Sequence, residues 1–227
     1  MIQRNLFPIS IYHTDLNISS NIKEEMRTKI YKIKDKHQGS SISNSGGWHS
    51  SDIDLFSLDE FKFLNKKINE CLVELIDTYY SKLKSFGSGG RFPIKNRFED
   101  YDLNELVVEN WAIINGYGHS NHIHNHPNNW LSGVYYLSVP PNSGDLRFLD
   151  MVSSRMHEGY FYTPSNLEEE LSGVIVPKND NLVIFPAWLP HAVGQNKSKQ
   201  DRIVVSFNVP YPFLGVEPLV IKEKNVR

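Results

Sequence analysis

From Glu105 onward the chain is a succession of short runs rich in β-branched and aromatic residues: LVVENWAII, WLSGVYYLSV, DLRFL, GVIVP, NLVIF, DRIVVSFNV and PLVIKE. Such side chains suit a pleated, half-buried surface. Turn residues separate most of the runs, among them Pro140-Pro141-Asn142-Ser143-Gly144 and Asn179-Asp180-Asn181. No helical pattern of useful length lies between them, which argues against βαβ units and a parallel sheet. The reading is an antiparallel sandwich or jelly roll. The polar segment Val152–Ser172 is the longest interruption and reads as a lid or mobile loop.

The first half has a different texture. Leu6 to Tyr12 alternates weakly around Pro8, which suits an edge strand. Ile22, Met26, Ile30 and Ile33 recur at helical spacing among lysines and glutamates, predicting a helix over residues ~21–38. A second helix, over residues ~57–86, is predicted from Phe61, Leu64, Ile68, Leu72, Leu75, Ile76, Tyr79 and Leu83. Ser57 and Glu60 form an S-x-x-E capping box at its start, and Gly87, Gly89 and Gly90 stop it. Between the helices lies a polar loop, HQGSSISNSGGWHSSD, whose Trp48 either lines a site or packs over the core edge. The expected organisation is one domain over 1–227, with 1–104 as helical support plus a first edge strand and 105–227 as the β core.

Composition narrows the function classes. With 40% hydrophobic and 22% charged residues the chain is an ordinary globular sequence, and 227 residues bury a substantial core. A net charge of −2 gives no electrostatic argument for nucleic acid or an anionic membrane. The single cysteine, Cys71, sits in an apolar helical pattern and reads as core; alone it forms no intramolecular disulfide, which suits a reducing compartment. There is no apolar span of ~20 residues and no continuous apolar signal region at the start, so a soluble, cytoplasmic protein is expected.

The chemistry gathers between Asn121 and Leu137, NHIHNHPNNWLSGVYYL. On an extended segment His122, His124 and His126 share a face. Imidazole is the commonest metal ligand, and two on a strand edge make half a site. The best further ligand is His191 in FPAWLPH, held between Pro186 and Pro190 and the next apolar strand, although a buried core histidine fits that context too. Arg202 opens RIVVSFNV; it either pairs with Asp201 at the surface or offers a two-pronged guanidinium to a carboxylate. Arg202, Val204 and Ser206 share a strand face, so Ser206 can bond the same ligand, while Tyr136 adds a phenol and Tyr135 faces the other way. Two close ligands, a distant histidine and a basic residue suit a mononuclear iron site with an acidic cosubstrate.

With these motifs in place, the chain resembles the iron(II)/2-oxoglutarate-dependent oxygenases, within a group that carries an H-x-H-P…SGVYY pattern. The residues concerned are His124-Asn125-His126-Pro127, Ser132-Gly133-Val134-Tyr135-Tyr136, Phe185 to His191 and Arg202 to Asn208, together with Leu6-Phe7-Pro8 and Gly46-Gly47-Trp48-His49-Ser50. The resemblance implies a mainly β fold with amino-terminal helices, a double-stranded β-helix (jelly roll, cupin-like) with iron at its open end. It implies that His124 and His191 bind Fe(II), that Arg202 binds the far carboxylate of 2-oxoglutarate, and that Tyr136 lies beside that cosubstrate. His122 falls outside the pattern. O₂ and a small-molecule or peptide substrate complete the expected partners.

The sequence departs from the wider superfamily twice. Where relatives have His-x-Asp/Glu, position 126 is His; either His126 is the third ligand or a carboxylate arrives from elsewhere, Asp145 and Asp150 being nearest. Val204 stands where relatives often carry Ser or another small residue, so one hydroxyl contact to the cosubstrate is either absent or supplied by Ser206. The expected activity is oxygenation that consumes 2-oxoglutarate and O₂. Its rivals are a cupin-like metalloenzyme using His124, His126 and His191 without 2-oxoglutarate, and a non-enzymatic β-sandwich binding module.

Overall fold

The computed structural model describes residues 9–40, 43–50, 53–85, 106–107, 109–149 and 173–210. Leu6 to Pro8, the glycines after residue 86, Asp150, the segment Val152–Ser172 and the run PLVIKE lie outside them.

Helix α1 spans Ser20–Lys34, about four residues shorter than its periodicity predicts. Met26, Ile30 and Ile33 fall on one face and are buried, while Lys32 and Lys34 in the last turn complement the helix dipole. Helix α2 spans Lys62–Ser85 and buries Leu64, Ile68, Leu72 and Ile76, every fourth residue. The capping box is not formed. The chain enters α2 through two 3₁₀ turns, Leu55–Ser57 and Asp59–Phe61, and Asp54 accepts from the Phe56 N–H at 3.0 Å. The Ser57 hydroxyl donates to the Asp54 carbonyl at 2.7 Å, and the Glu60 carboxylate is taken by Lys29 of α1 at 2.9 Å. A tie between the two helices has replaced a local cap.

Among the described residues eleven strands form two antiparallel sheets. In chain order they are β1 (Tyr12–Asp15), β2 (Asn44–Ser45), β3 (Trp48–His49), β4 (Glu109–Asn115), β5 (Ser120–His124), β6 (Asn129–Ser138), β7 (Leu146–Phe148), β8 (Val174–Ile175), β9 (Asn181–Pro186), β10 (His191–Val193) and β11 (Arg202–Pro210). The six-stranded sheet runs β1-β9-β6-β11-β4-β3 and the five-stranded sheet β2-β5-β10-β7-β8. This is the jelly roll expected, with two differences at its edges. The amino-terminal edge strand begins at Tyr12, and the polar loop before residue 53 contains β2 and β3, one on the edge of each sheet.

The six-stranded sheet is buried on both faces, which explains why NLVIF and RIVVSF are continuous apolar runs and not alternating ones. Ala112, Ile114, Tyr135, Leu137, Leu182, Ile184, Ile203, Val205 and Phe207 pack under α1 and α2 in one core. Their neighbours of opposite parity, Ile113, Val134, Tyr136, Val183, Phe185 and Val204, meet Leu146 in a second, smaller core between the sheets. Trp48 belongs to the first core, and its indole N–H donates to the His37 carbonyl at 3.0 Å.

Candidate metal and cosubstrate site

His124 is the last residue of β5 and faces His191, the first of β10, as a cross-strand pair. His126 lies two residues beyond β5, and its N–H donates to the Ala187 carbonyl at 2.9 Å. Ring centroids are 4.3 Å apart for His124–His191, 5.1 Å for His124–His126 and 5.2 Å for His126–His191. One ring nitrogen from each lies within 4.8 Å of the others, and no carboxylate among the described residues joins the group. His122 lines the same cavity but stays outside the cluster, with its N–H bound to the Ser43 carbonyl at 2.8 Å. Asp145 also stays outside, paired with Arg147 at 3.0 Å.

The donor set suits a metal ion. Nδ1 of His124 donates to the His122 carbonyl at 2.7 Å, and Nδ1 of His191 to the Leu189 carbonyl at 3.0 Å. A carbonyl only accepts, so both imidazoles are fixed as Nδ1–H tautomers with the Nε2 lone pair free. Burial holds the rings neutral: it pushes His126 down to about 4, with His124 adding to the shift, and His191 down to about 3, with His124 and His126 adding to it. Trp111 lies 5.7 Å from the His126 ring, and Phe185 lies 4.7 Å from that of His191. These rings form an apolar wall on which water competes poorly for the metal.

Deeper in the sandwich, Arg202 is 2% exposed. Its Nε has no hydrogen-bond partner, and Asp145, whose field reaches it, is already paired with Arg147. The surface reading of Arg202 is excluded; Asp201 instead accepts from the Tyr31 hydroxyl at 2.7 Å. Along β11, Arg202, Val204 and Ser206 line the cavity together, and Tyr136 is the cross-strand partner of Val204. Burial raises the Tyr136 phenol to about 12 although Arg202 opposes the shift. The phenol is therefore a neutral donor beside the guanidinium. Histidines, arginine, tyrosine and serine share one cavity of about 860 Å³. A buried guanidinium with no counter-ion among the described residues suits a carboxylate ligand, because an uncompensated buried charge is disfavoured by several kcal/mol.

Residue patterning alone assigns no role to His49, Asn115, Asn121 or Trp111, all of which stand at or behind this cavity. His49 is 4% exposed and lines it from β3. Its Nε2 lies 3.2 Å from Asn121 Nδ2, and Asn121 Oδ1 accepts from Asn115 Nδ2 at 2.9 Å. Only the position of His49 beside Trp48 hinted at this: once Trp48 is core, the next residue on a strand faces inward.

A jelly roll with three neutral imidazoles at its mouth and a buried arginine below suits a mononuclear, non-haem iron site with an acidic cosubstrate. Residues 109–208 match the family described as "Putative 2OG-Fe(II) oxygenase". That segment carries all three histidines and Arg202, and over it the chain is similar to the 2-oxoglutarate/iron(II) oxygenases, which are oxidoreductases using iron, 2-oxoglutarate and O₂. Solved structures agree on the fold. A Pseudomonas putida prolyl-4-hydroxylase superimposes with a TM-score of 0.55 at 11% identity, covering 89% of this chain and 94% of that one. SnoN, a non-heme alpha-ketoglutarate-dependent epimerase from nogalamycin biosynthesis, gives 0.54 at 13% identity over 89% and 76%. HygX from Streptomyces hygroscopicus, with nickel and 2-oxoglutarate bound, gives 0.51 at 10% identity over 89% and 83%. At these identities the likeness is one of fold. No curated protein matches the chain by sequence. Among the described residues no helix is long and apolar enough to cross a membrane.

Proposed function

We propose that His124, His126 and His191 hold one iron(II) ion, that Arg202 anchors 2-oxoglutarate with Tyr136 and Ser206 beside it, and that the reaction is hydroxylation of a small-molecule or peptide substrate. The observation that carries this reading is the buried, unpaired Arg202 in the same cavity as three neutral imidazoles. When bound, iron(II) and 2-oxoglutarate supply the activation of O₂, the oxo acid furnishing two electrons as it loses CO₂. The chain's own residues orient and shield. The carbonyls of His122 and Leu189 fix the two imidazole tautomers, Arg202 neutralises the far carboxylate, and the Tyr136 phenol and Ser206 hydroxyl donate to the same ligand. Phe185, Val183, Val134 and Val204 form an apolar floor that keeps bulk water from the inner cavity.

His126 as third ligand leaves the iron with one more positive charge than a carboxylate would, favouring anionic ligands. We further propose that the whole chain acts as one domain and works in the cytoplasm, a reading supported by its lone cysteine.

The test is anaerobic. Iron(II) followed by 2-oxoglutarate should produce a metal-to-ligand charge-transfer band. His124→Ala and His191→Ala should each lose most bound iron while the fold persists, and His126→Asp should still bind it. Stoichiometric iron in both alanine variants would reject the ligand assignment. Iron binding without any response to 2-oxoglutarate would favour the cupin-like reading.

A further inference from the structure

The Gly46-Gly47-Trp48-His49-Ser50 motif has one residue that the fold itself does not use. Gly46 and Gly47, with φ of +70° and +75°, carry the chain from β2 on one sheet to β3 on the other. A Cβ at Gly46 would run into His119, and one at Gly47 into Asn115, so the crossing requires glycine. Trp48 fills the helix-side core. Ser50 continues the ladder: its N–H donates to the Ala112 carbonyl at 2.9 Å, and its hydroxyl accepts from the Ala112 N–H at 2.9 Å. Next to Trp48 on an extended strand, His49 must face the other way, and it lines the cavity.

Its position there is specific. His49 is the cross-strand partner of Ile113, and Ile113 is that of Val204, whereas Arg202 sits one step deeper opposite Asn115. Trp111, against the His126 ring, sits one step nearer the mouth, opposite Ser206. His49 therefore occupies the level between the histidine cluster and the arginine. Burial, with His124 and Arg202 nearby, lowers its pKa to about 4, so the ring is neutral.

The amides behind it set the tautomer. Asn121 receives a hydrogen bond from Asn115 on Oδ1, so its Nδ2 is the atom that donates to His49 Nε2. An imidazole that accepts at Nε2 carries its proton on Nδ1. No described residue accepts a hydrogen bond from that Nδ1.

We propose that His49 is a cosubstrate-binding residue: its Nδ1–H donates to a carboxylate oxygen of 2-oxoglutarate lying between the iron ligands and Arg202. This rests on the functional reading above. Asn121 and Asn115 are positioning residues that act through the imidazole.

The experiment titrates 2-oxoglutarate into anaerobic, iron(II)-loaded parent, His49→Phe, His49→Asn and His49→Gln proteins, following the charge-transfer band and the heat of binding. Asn places an N–H near the position of Nδ1, whereas Gln places one near Nε2. His49→Phe and His49→Gln should weaken 2-oxoglutarate by about tenfold to a hundredfold, the range for a hydrogen bond to a charged group. His49→Asn should recover part of the loss, and iron(II) affinity should be unchanged in all three. Parent-like 2-oxoglutarate affinity in His49→Phe, or in His49→Gln if the Phe protein does not fold, overturns the inference alone. Equal losses in the Asn and Gln proteins, or loss of iron binding, overturn it as well. A parent that holds iron but binds no 2-oxoglutarate overturns the underlying reading, and is seen before any variant is made.

Discussion

Tyr135 and Tyr136 are neighbours on β6, and both are at most 2% exposed, yet they serve two different interiors. Tyr135 points to the helix side, where its hydroxyl donates to Asp180 at 2.7 Å. Asp180 in turn accepts from the Ile18 N–H at 3.0 Å, tying the start of α1 to the sheet. Tyr136 points between the sheets, beside Arg202, where no described group accepts its proton. On the helix side the polar groups are satisfied by the protein. On the cavity side Arg202 Nε and Asn115 Oδ1 are left without partners. One face of the sheet is built for stability and the other for a ligand.

Substitutions on the two faces should therefore have opposite signatures, and the largest effect is expected on the helix side. Phe61, fully buried where the chain enters α2, should cost about 3–5 kcal/mol of stability as Phe61→Ala. Chemical denaturation measures that loss, and the surviving folded fraction should still bind 2-oxoglutarate. On the cavity face, Arg202→Leu should weaken 2-oxoglutarate binding by about 2–5 kcal/mol while leaving iron binding near normal. The same substitution should raise the stability of the metal-free protein by about 1–4 kcal/mol, because it removes an unpaired buried charge. A destabilised Arg202→Leu protein with parent-like 2-oxoglutarate affinity would erase the contrast. Lysine at 202 should rescue binding only in part, keeping the charge without the fork.

The tyrosine pair sharpens the comparison on a smaller scale. Tyr135→Phe removes a donor from a carboxylate 9% exposed as a residue and should cost about 1–3 kcal/mol in a thermal or denaturant melt. Tyr136→Phe should change stability by no more than about 0.5 kcal/mol, since no described bond is lost. Its effect should appear in the 2-oxoglutarate titration instead.

A last effect is a dependence on alkaline pH. Burial lifts the Tyr136 phenol to about 12, and burial with the Asp180 bond lifts Tyr135 as well. A folded pKa above the unfolded value of about 10 contributes stability that is complete below pH ~10 and is lost as pH rises through the folded value. Melts of the parent between pH 9 and 12 should show falling stability, and each Phe substitution should flatten the slope in that window. Identical slopes in parent and variants would mean that neither phenol is held back from ionising.

Much of this arrangement is legible in the sequence because it depends on period. Met26, Ile30 and Ile33 announce a helical face, and alternation on RIVVSFNV puts Arg202, Val204 and Ser206 together and Tyr135 opposite Tyr136. The motifs around His124, His126 and His191 point to the imidazoles that the fold brings together. Local rules failed where a distant partner competed: Glu60 left its capping position for Lys29, and the loop before residue 53 gained strands only because sheet edges were there to pair with it.

What the sequence by itself determined was therefore periodicity and residue chemistry: the amphipathic helices, the apolar runs and the ligand types. Tertiary structure decided which of the four candidate histidines cluster, since β5 ends at His124 and His126 is placed by a bond to Ala187. It also decided that Arg202 is buried with no counter-ion among the described residues, and that the pair of glycines before Trp48 brings His49 to the same cavity from the opposite edge. Those outcomes depend on cross-strand register between segments dozens of residues apart, and no local pattern along the chain encodes which strand edge will meet which.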